Sequence, residues 1–240
     1  MVRNYKNFDD LFYSLNREFL LSPECFDYVN SGIGFADNLL LKCESFDCTL
    51  NIGDFGYKIN KWTAYSKKMV DKEKLKLFKD ELVKSNGNCS MFEFCTENMP
   101  KGGSMLCMVF KRHDYRSKWK TVDVYFRVAE LQRDLALDLV LLNVLLRDMP
   151  NIKLSNINLY ISQANISATY INGYLDYFDL GIEELDSTHP FVKSMISAKK
   201  RYFSDKDNLS NYNAVLVMQK MYFDMYEIPN IRVLDLELGE

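Results

Sequence analysis

The stretch VYFRVAELQRDLALDLVLLN, residues 124–143, decides the fold of this chain. It begins as a strand-like alternation that carries Arg127 and continues as a strongly apolar helix that nevertheless holds Asp138. A carboxylate inside an apolar helix must be paired, hydrogen-bonded or protonated. Two explanations fit this pattern: an internal ion pair, and a pocket in which Asp138 contacts the edge of a nucleotide base.

The segments around this stretch predict the main elements of the fold. Alternating apolar residues predict strands over 105–110 and 120–128, and a further strand over 156–167. Between them, an apolar run predicts a buried helix over roughly 129–149 that Pro150 ends. The sequence therefore favours an α+β protein in which a mixed sheet packs against a long buried helix.

Other segments show weaker patterns of the same kind. Asp71 stands where it can cap a helix. The further predictions are an amphipathic helix over 8–21, strands joined by turns over 38–59, a helix over 71–85, a helix over 189–203 and a terminal strand over 231–238.

Composition limits the classes of function. The 240 residues are 48% hydrophobic and 14% aromatic, which is enough for a substantial core, and we expect one domain spanning 1–240. The formal net charge is −3, from 30 basic and 33 acidic residues, so duplex DNA is not an expected partner. Free nucleotides and protein partners fit this charge balance.

Hydropathy predicts a cytoplasmic protein without a membrane partner. The N-terminal segment has no long apolar run of the kind a signal peptide needs. The longest apolar run, LALDLVLLNVLL over 135–146, is too short to span a bilayer and is interrupted by Asp138 and Asn143.

Cysteine and histidine usage argues against a metal site. The six cysteines form no CxxC motif, and the two histidines, His113 and His189, are far apart in sequence. We therefore expect no metal cofactor, and serine–histidine hydrolysis is also disfavoured because histidine is so scarce.

The two strands 105–110 and 120–128 predict a hairpin with a polar face. If its loop is centred near Ser117, Cys107 lies opposite Arg127. Asp123, Tyr125 and Arg127 then share one face of the second strand and can line a cleft. A guanidinium beside a thiol stabilises the thiolate, which is the form that acts as a nucleophile.

The order and spacing of these residues resemble the thymidylate synthase family, which includes the phage deoxycytidylate hydroxymethylases. In that family, a nucleophilic cysteine is followed after twenty residues by the arginine of an R-S-x-D motif, and after eleven more by the base-binding residue. Cys107, Arg127 and Asp138 match these spacings, and Glu130 falls on the motif's Asp.

Two further segments extend the resemblance over roughly residues 50–175. SQANIS (162–167) is similar to the family's sugar-binding G-D-x-H-x-Y strand, with Asn165 and Ser167 in place of His and Tyr. GDFGYKINKW (53–62) resembles the family's G-D-L-G segment. A departure is that Asn88–Cys89 stands where the family has a pair of phosphate-binding arginines.

The resemblance implies a deoxypyrimidine nucleotide C5 one-carbon transferase. Cys107 would add as a thiolate to C6 of the pyrimidine, and methylenetetrahydrofolate would supply the one-carbon unit. Arg127 would lower the pKa of the thiol and hold the phosphate, while Asp138 would bind N3 and the amine of a cytosine. Glu130, Asn165 and Ser167 would complete the substrate site, with Asn165 bonding a sugar hydroxyl.

The resemblance also leaves a second function open. The missing arginine pair and the altered sugar-binding strand favour a catalytically degenerate member that acts as a binding or structural subunit in a viral or cellular protein complex. An α+β protein unrelated to the family is a third alternative. Family members form homodimers by packing one sheet on another, so we expect a homodimer under either family-based function.

Overall fold

The computed structural model describes residues 2–21, 27–29, 33–55, 57–94, 104–167, 236 and 238. The helix predicted over 189–203 lies outside these residues. Of the strand predicted over 231–238, only positions 236 and 238 are among them.

The described part of the chain contains strands and helices in mixed order. The strands are β1 (Val2–Tyr5), β2 (Asp27–Val29), β3 (Ile33–Cys43), β4 (Cys89–Glu93), β5 (Met105–Lys111), β6 (Trp119–Glu130) and β7 (Ile152–Ser167). The helices are α1 (Phe8–Leu21), α2 (Ile59–Met69), α3 (Lys72–Lys84) and α4 (Asp134–Arg147), with a short 3-10 helix at Ile52–Phe55.

The strands form one mixed sheet. Six of them follow one another in the order β1-β3-β7-β6-β5-β4, and β2 pairs with β3. β1 runs parallel to β3, whereas the pairs β4–β5 and β5–β6 are antiparallel. A mixed sheet with helices confirms the predicted α+β class.

Two helices match their predictions closely. α1 has the predicted bounds, and Phe8, Leu11 and Phe12 are buried on one of its sides. α3 begins after Asp71, whose carboxylate accepts the backbone N–H groups of Glu73 at 2.9 Å and Lys74 at 3.0 Å. The predicted cap therefore forms, and it satisfies two N–H groups that have no partner inside the helix.

The helix predicted over 129–149 starts later than expected. β6 continues to Glu130, and α4 begins only at Asp134. It is buried almost all round, and twelve of its fourteen residues are buried. Among the described residues, no helix is long and apolar enough to cross a membrane.

The segment 44–59 does not form the predicted strands. It contains the 3-10 helix, and α2 follows at Ile59, although no helix was expected there. Only Trp62, Ser66 and Met69 of α2 are buried. With so few buried residues, the apolar positions of α2 repeat only weakly at the helical period. The sequence pattern therefore does not predict this helix. β1 and β4 were missed because each is short.

One face of the sheet carries the core. Met108 and Phe110 of β5 and Val124 and Phe126 of β6 are buried on this face. α3 packs against it through Phe78, whose ring centroid lies 5.6 Å from that of Phe110. We call this the core face, and the opposite face of β4–β7 the open face.

The chain divides into two compact units. The first comprises Met1–Phe12, Asp37–Ala164 and Pro229–Glu240, and the second comprises Tyr13–Ala36 and Asn165–Ile228. The expectation of one domain over 1–240 stays a prediction, because most of the second unit lies outside the described residues. The first unit holds the candidate site.

Candidate functional site

Asp138 lies in the middle of α4 with only 1% of its surface exposed. Its Oδ1 accepts one hydrogen bond from the hydroxyl of Ser104, at 2.8 Å, and another from the hydroxyl of Tyr65. Its Oδ2 is buried, and no described residue donates to it. Two hydroxyl groups therefore bind this carboxylate, and no ion pair joins it to a described residue.

Three elements bring these groups together. α2 supplies Tyr65, α4 supplies Asp138, and Ser104 stands immediately before β5. The backbone of Ser104 is fixed by β6, because its carbonyl oxygen accepts the N–H of Arg127 at 2.8 Å. The site thus joins residues that are 34 and 73 positions apart in sequence.

Burial dominates the electrostatics of Asp138. It raises the pKa of this carboxyl to about 7, while the hydrogen bonds from Tyr65 and Ser104 oppose the rise and the charges of Asp134 and Glu130 add to it. The pKa of Tyr65 is also raised well above its usual value, first by burial and then by Asp138. Asp138 is therefore poised to exchange a proton near neutral pH.

Glu130 fixes the beginning of α4. Its Oε1 accepts the N–H of Gln132 at 3.1 Å, and its Oε2 accepts those of Arg133 at 2.9 Å and Asp134 at 3.1 Å. Burial raises its pKa to about 7, Asp134 adds to the rise, and these hydrogen bonds oppose it. Both oxygens are thus engaged at the helix start, where a negative charge is favourable.

A second hydroxyl–carboxylate pair lies one turn before Asp138. Tyr57, which is buried, donates from its hydroxyl to Oδ1 of the exposed Asp134. The Lys61 ammonium lies 5.2 Å, and the central guanidinium carbon of Arg133 5.5 Å, from the centroid of the Tyr57 ring. Within the described ranges, no three acidic, cysteine or histidine side chains are arranged to hold a metal ion.

The structure does not place Cys107 opposite Arg127. Cys107 pairs with Tyr125 across the β5–β6 ladder, and the backbone N–H of Arg127 contacts Ser104 instead. The predicted pairing is therefore wrong, and it fails by two positions along β6.

The position of the loop causes this shift. Lys111 pairs with Thr121, so the loop is centred on Arg116, one residue before the expected centre. Moving the centre by one residue moves every cross-strand partner by two. The ladder is also irregular between Met105 and Cys107, and this bulge changes the partner of Met105 but not that of Cys107.

The surroundings of Cys107 disfavour the thiolate. Burial raises the pKa of this half-buried thiol, and the carboxylate of Glu93, its partner on β4, raises it further. The expectation that Arg127 would lower the pKa of Cys107 is not met, because the charged neighbour is an acid.

The open face is polar, as predicted, but its groups bind one another. Asp123 is only 2% exposed and accepts hydrogen bonds from the Lys111 ammonium and, at 2.8 Å, from the Asn158 amide. The ring of Tyr125 stacks on that of Tyr160 with centroids 4.8 Å apart and planes 9° apart. Arg127 shares this face and is exposed.

Cys107 and Asp138 have different described neighbours. Cys107 is on the open face with its partner Tyr125 and lies beside Glu93. Asp138 extends from α4 toward Ser104 and Tyr65. Among the described residues, no hydrogen bond joins these two sequence-predicted residues.

The remaining predicted residues belong to the second unit. Asn165 is half-buried near the end of β7, and Ser167 is the last residue of that strand. Sequence reasoning missed Tyr65 and Ser104 altogether. The sequence offers one weak indication of Tyr65. A buried acid needs a hydrogen-bond donor, and Tyr65 lies three residues after Trp62, which is buried once α2 forms.

Comparison with known proteins finds no family model and no curated protein that matches this chain.

Proposed function

We propose that this chain is a catalytically degenerate protein of thymidylate synthase-like fold that acts as a binding subunit and has no nucleophile at Cys107. The observation that carries the proposal is the position of Cys107 on the open face, paired with Tyr125 and beside Glu93. A thiol whose pKa is raised by burial and by an acid is a poor nucleophile at neutral pH.

The geometry of the transfer reaction supports this choice. A nucleophile at C6 and a base-binding residue at N3 and the exocyclic amine must contact the same pyrimidine ring. The described neighbours of Cys107 are Tyr125 and Glu93, whereas Asp138 is bound by Ser104 and Tyr65, and no described hydrogen bond joins the two residues. The raised pKa of the Cys107 thiol and the burial of the Asp138 carboxylate therefore disfavour methylenetetrahydrofolate chemistry at Cys107.

Asp138 is the residue that we expect to bind a ligand. Ser104 and Tyr65 occupy Oδ1, so only Oδ2 remains for a ligand, and because Oδ2 is buried, the side chains around it must move to admit one. An ionised Oδ2 accepts a hydrogen bond from an exocyclic amine such as that of cytosine. Contact through one oxygen differs from the two-point contact that the family resemblance implies, and it would hold a deoxypyrimidine nucleotide more weakly.

The first test measures turnover directly. Purified protein is incubated with methylenetetrahydrofolate and with dCMP or dUMP that carries tritium at C5. We expect no tritium release above the protein-free background, and the same result for Cys107→Ser. Release that Cys107→Ser abolishes would overturn the proposal and establish the transferase.

The second test measures binding by calorimetry with dCMP and dUMP. We expect dCMP to bind in preference to dUMP and to bind more tightly above about pH 7, where Asp138 is ionised. In Asp138→Asn, the amide oxygen should stay with Ser104 and Tyr65, which leaves an NH₂ group facing the ligand. That group donates to the 4-oxygen of uracil, so the preference should change to dUMP.

A matched variant controls this experiment. Asp134→Asn removes an acid one turn away that is exposed and bonded to Tyr57. It should leave the preference for dCMP unchanged. Absence of nucleotide binding in the wild type, or equal effects of the two variants, would show that Asp138 has only a structural role.

The one-carbon transferase remains the second candidate. The observation that favours it is the unpartnered Oδ2 of Asp138 at the position where the family binds the base. It requires Cys107 and Asp138 to contact the same pyrimidine ring, so trapping of dCMP on Cys107 would support it. The expected probe is 5-fluoro-dCMP with methylenetetrahydrofolate, followed by mass spectrometry of the protein.

Homodimer formation can be tested separately from nucleotide binding. The resemblance implies pairing of two sheets, and the open face holds the stacked Tyr125 and Tyr160 together with Met91, which is 50% exposed. Sedimentation should give a dimeric mass for the wild type and a monomeric mass for Met91→Glu. A monomeric wild type would contradict this expectation and leave a different protein as the partner.

A further inference from the structure

A pocket of about 540 Å³ opens between α3 and the end of α4, well separated from Asp138 along the helix. Volumes of roughly 300–1,000 Å³ are typical of sites for small molecules. The pocket is lined by Lys72, Leu75, Lys76, Lys79, Val144, Arg147, Asp148 and Leu238.

The rim of this pocket is strongly basic. Four of its side chains are basic, Lys72, Lys76, Lys79 and Arg147, and one is acidic, Asp148. The whole chain, in contrast, has a formal net charge of −3. A local concentration of positive charge on an acidic protein attracts anions to that place.

The three lysines share one side of α3. Their spacing of four and then three residues places them on consecutive turns that face α4. None of them forms an ion pair or a side-chain hydrogen bond with another described residue. Elsewhere on the same helix, the Lys84 ammonium forms an ion pair with the Asp80 carboxylate at 3.9 Å. The ammonium groups at the pocket are therefore available to a ligand.

The floor of the pocket is apolar. Leu75 is 5% exposed and Val144 only 1%, and Leu238 lies at the edge of the pocket. Arg147 holds the neighbouring backbone in place, because its guanidinium donates to the carbonyl of Leu236 at 2.9 Å. The pocket thus combines an apolar surface with cations arranged above it.

We propose that this pocket binds a small organic phosphate, with the phosphate group held by Lys72, Lys76 and Lys79 and the organic part packed on Leu75 and Val144. A dianionic phosphate matches several ammonium groups around one point, and ammonium–phosphate hydrogen bonds are charge-assisted. The organic part explains why the floor is apolar. This site is independent of Asp138 and of the proposed nucleotide binding.

Calorimetry with phenyl phosphate tests the proposal. We expect saturable binding of one molecule per chain, weaker binding of inorganic phosphate and no binding of phenol. Lys76→Ala should weaken phenyl phosphate binding about tenfold, the effect of losing one charge-assisted hydrogen bond. Asp148→Asn should strengthen binding, because it removes the one negative charge at the rim.

Lys74 provides a matched control. It is an exposed lysine on the same helix, but it does not line the pocket. Lys74→Ala makes the same change in net charge as Lys76→Ala and should leave the affinity unchanged. Equal weakening by both variants would overturn the proposal, since it would indicate attraction by net charge and no defined site.

Chemical labelling gives an independent readout. Acetylation of lysines, followed by mass spectrometry, should show that phenyl phosphate protects Lys72, Lys76 and Lys79 but leaves Lys74 reactive. A nucleoside monophosphate in place of phenyl phosphate tests whether a larger organic part is accepted. Lack of saturable binding, or protection spread over all lysines, would contradict the proposed site.

Discussion

The hydroxyl of Ser104 donates a hydrogen bond of 2.8 Å to Oδ1 of Asp138, and the carbonyl of the same residue accepts the N–H of Arg127 at 2.8 Å. Ser104 therefore links the backbone of Arg127 in β6 to the buried acid in α4. The carboxyl group of Asp138 therefore lies where these two elements meet.

The raised pKa of Asp138 makes stability depend on pH. Its usual pKa is 3.8, and its pKa in the folded protein is about 7, so the folded state binds the proton more tightly than the unfolded state. Stability should therefore fall as the pH rises from about 4 to about 7 and then level off, with a contribution of up to about 4 kcal/mol from this group. Urea unfolding across this range measures the effect.

Asp138→Asn should remove this contribution. The variant should become more stable relative to the wild type as the pH rises from about 4 to about 7, and the difference should then level off. Asp134→Asn, which alters an exposed acid, should keep most of the wild-type pH dependence. An Asp138→Asn variant with the full pH dependence would show that another group, such as Glu130, is responsible.

Tyr65→Phe tests the hydrogen bond to Asp138. Removal of the hydroxyl leaves Ser104 as the described donor to Oδ1, so the pKa of Asp138 should rise further and the pH-dependent loss of stability should extend to higher pH. We also expect a loss of about 1–3 kcal/mol in the free energy of unfolding at alkaline pH, where the acid is ionised.

Tyr57→Phe is the matched control for this prediction. It removes the same hydroxyl group from a tyrosine that donates to Asp134 instead. The pH range over which stability declines should stay that of the wild type. Equal shifts in both variants would mean that the tyrosines act through general packing and not through Asp138.

The reactivity of Cys107 should respond to Glu93. Burial and the Glu93 carboxylate both raise the pKa of the thiol, so alkylation by iodoacetamide near neutral pH should be slow. Glu93→Gln should lower the pKa and increase the alkylation rate about two- to threefold. Mass spectrometry can follow the tryptic peptide 102–111, which contains Cys107 as its only cysteine.

Arg127→Ala tests whether the Arg127 guanidinium stabilises the thiolate of Cys107. The observed pairing with Tyr125 leads us to expect little change in its alkylation rate. A guanidinium that stabilised the thiolate would instead make the variant about tenfold slower, the effect of one pKa unit. That result would restore the nucleophile hypothesis.

Arg112 should be important for stability. It is buried, its Nε donates to Gly87 at 3.0 Å and its Nη1 to Ser117 at 3.2 Å, and its guanidinium lies 4.1 Å from the Trp119 ring centroid. Lysine keeps the charge but cannot reproduce these planar contacts. Arg112→Lys should therefore cost about 2–4 kcal/mol in urea unfolding.

Arg116→Lys is the corresponding control in the same loop. Arg116 is exposed, and among the described residues its side chain bonds to the neighbouring Tyr115 hydroxyl alone. Its replacement should change the free energy of unfolding by less than about 0.5 kcal/mol. Similar losses in the two variants would contradict a special role for the buried guanidinium.

Local patterns in the sequence determined much of the framework. The apolar spacing of 8–21 predicted α1 with its observed bounds, and Asp71 predicted the start of α3. Alternation predicted β5, β6 and most of β7. These features follow from the period of a helix, the period of a strand and the needs of a helix terminus, all of which depend on residues close together in the chain.

Only the tertiary structure decided how the candidate site is built. The sequence showed that Asp138 needs a partner, but the hydroxyls of Tyr65 and Ser104 come from 73 and 34 residues away. The partner of Cys107 depended on the loop centre, and a shift of one residue in that centre changes every cross-strand partner. Burial, which raises the pKa of Asp138, arises only when α4 is enclosed by the rest of the fold.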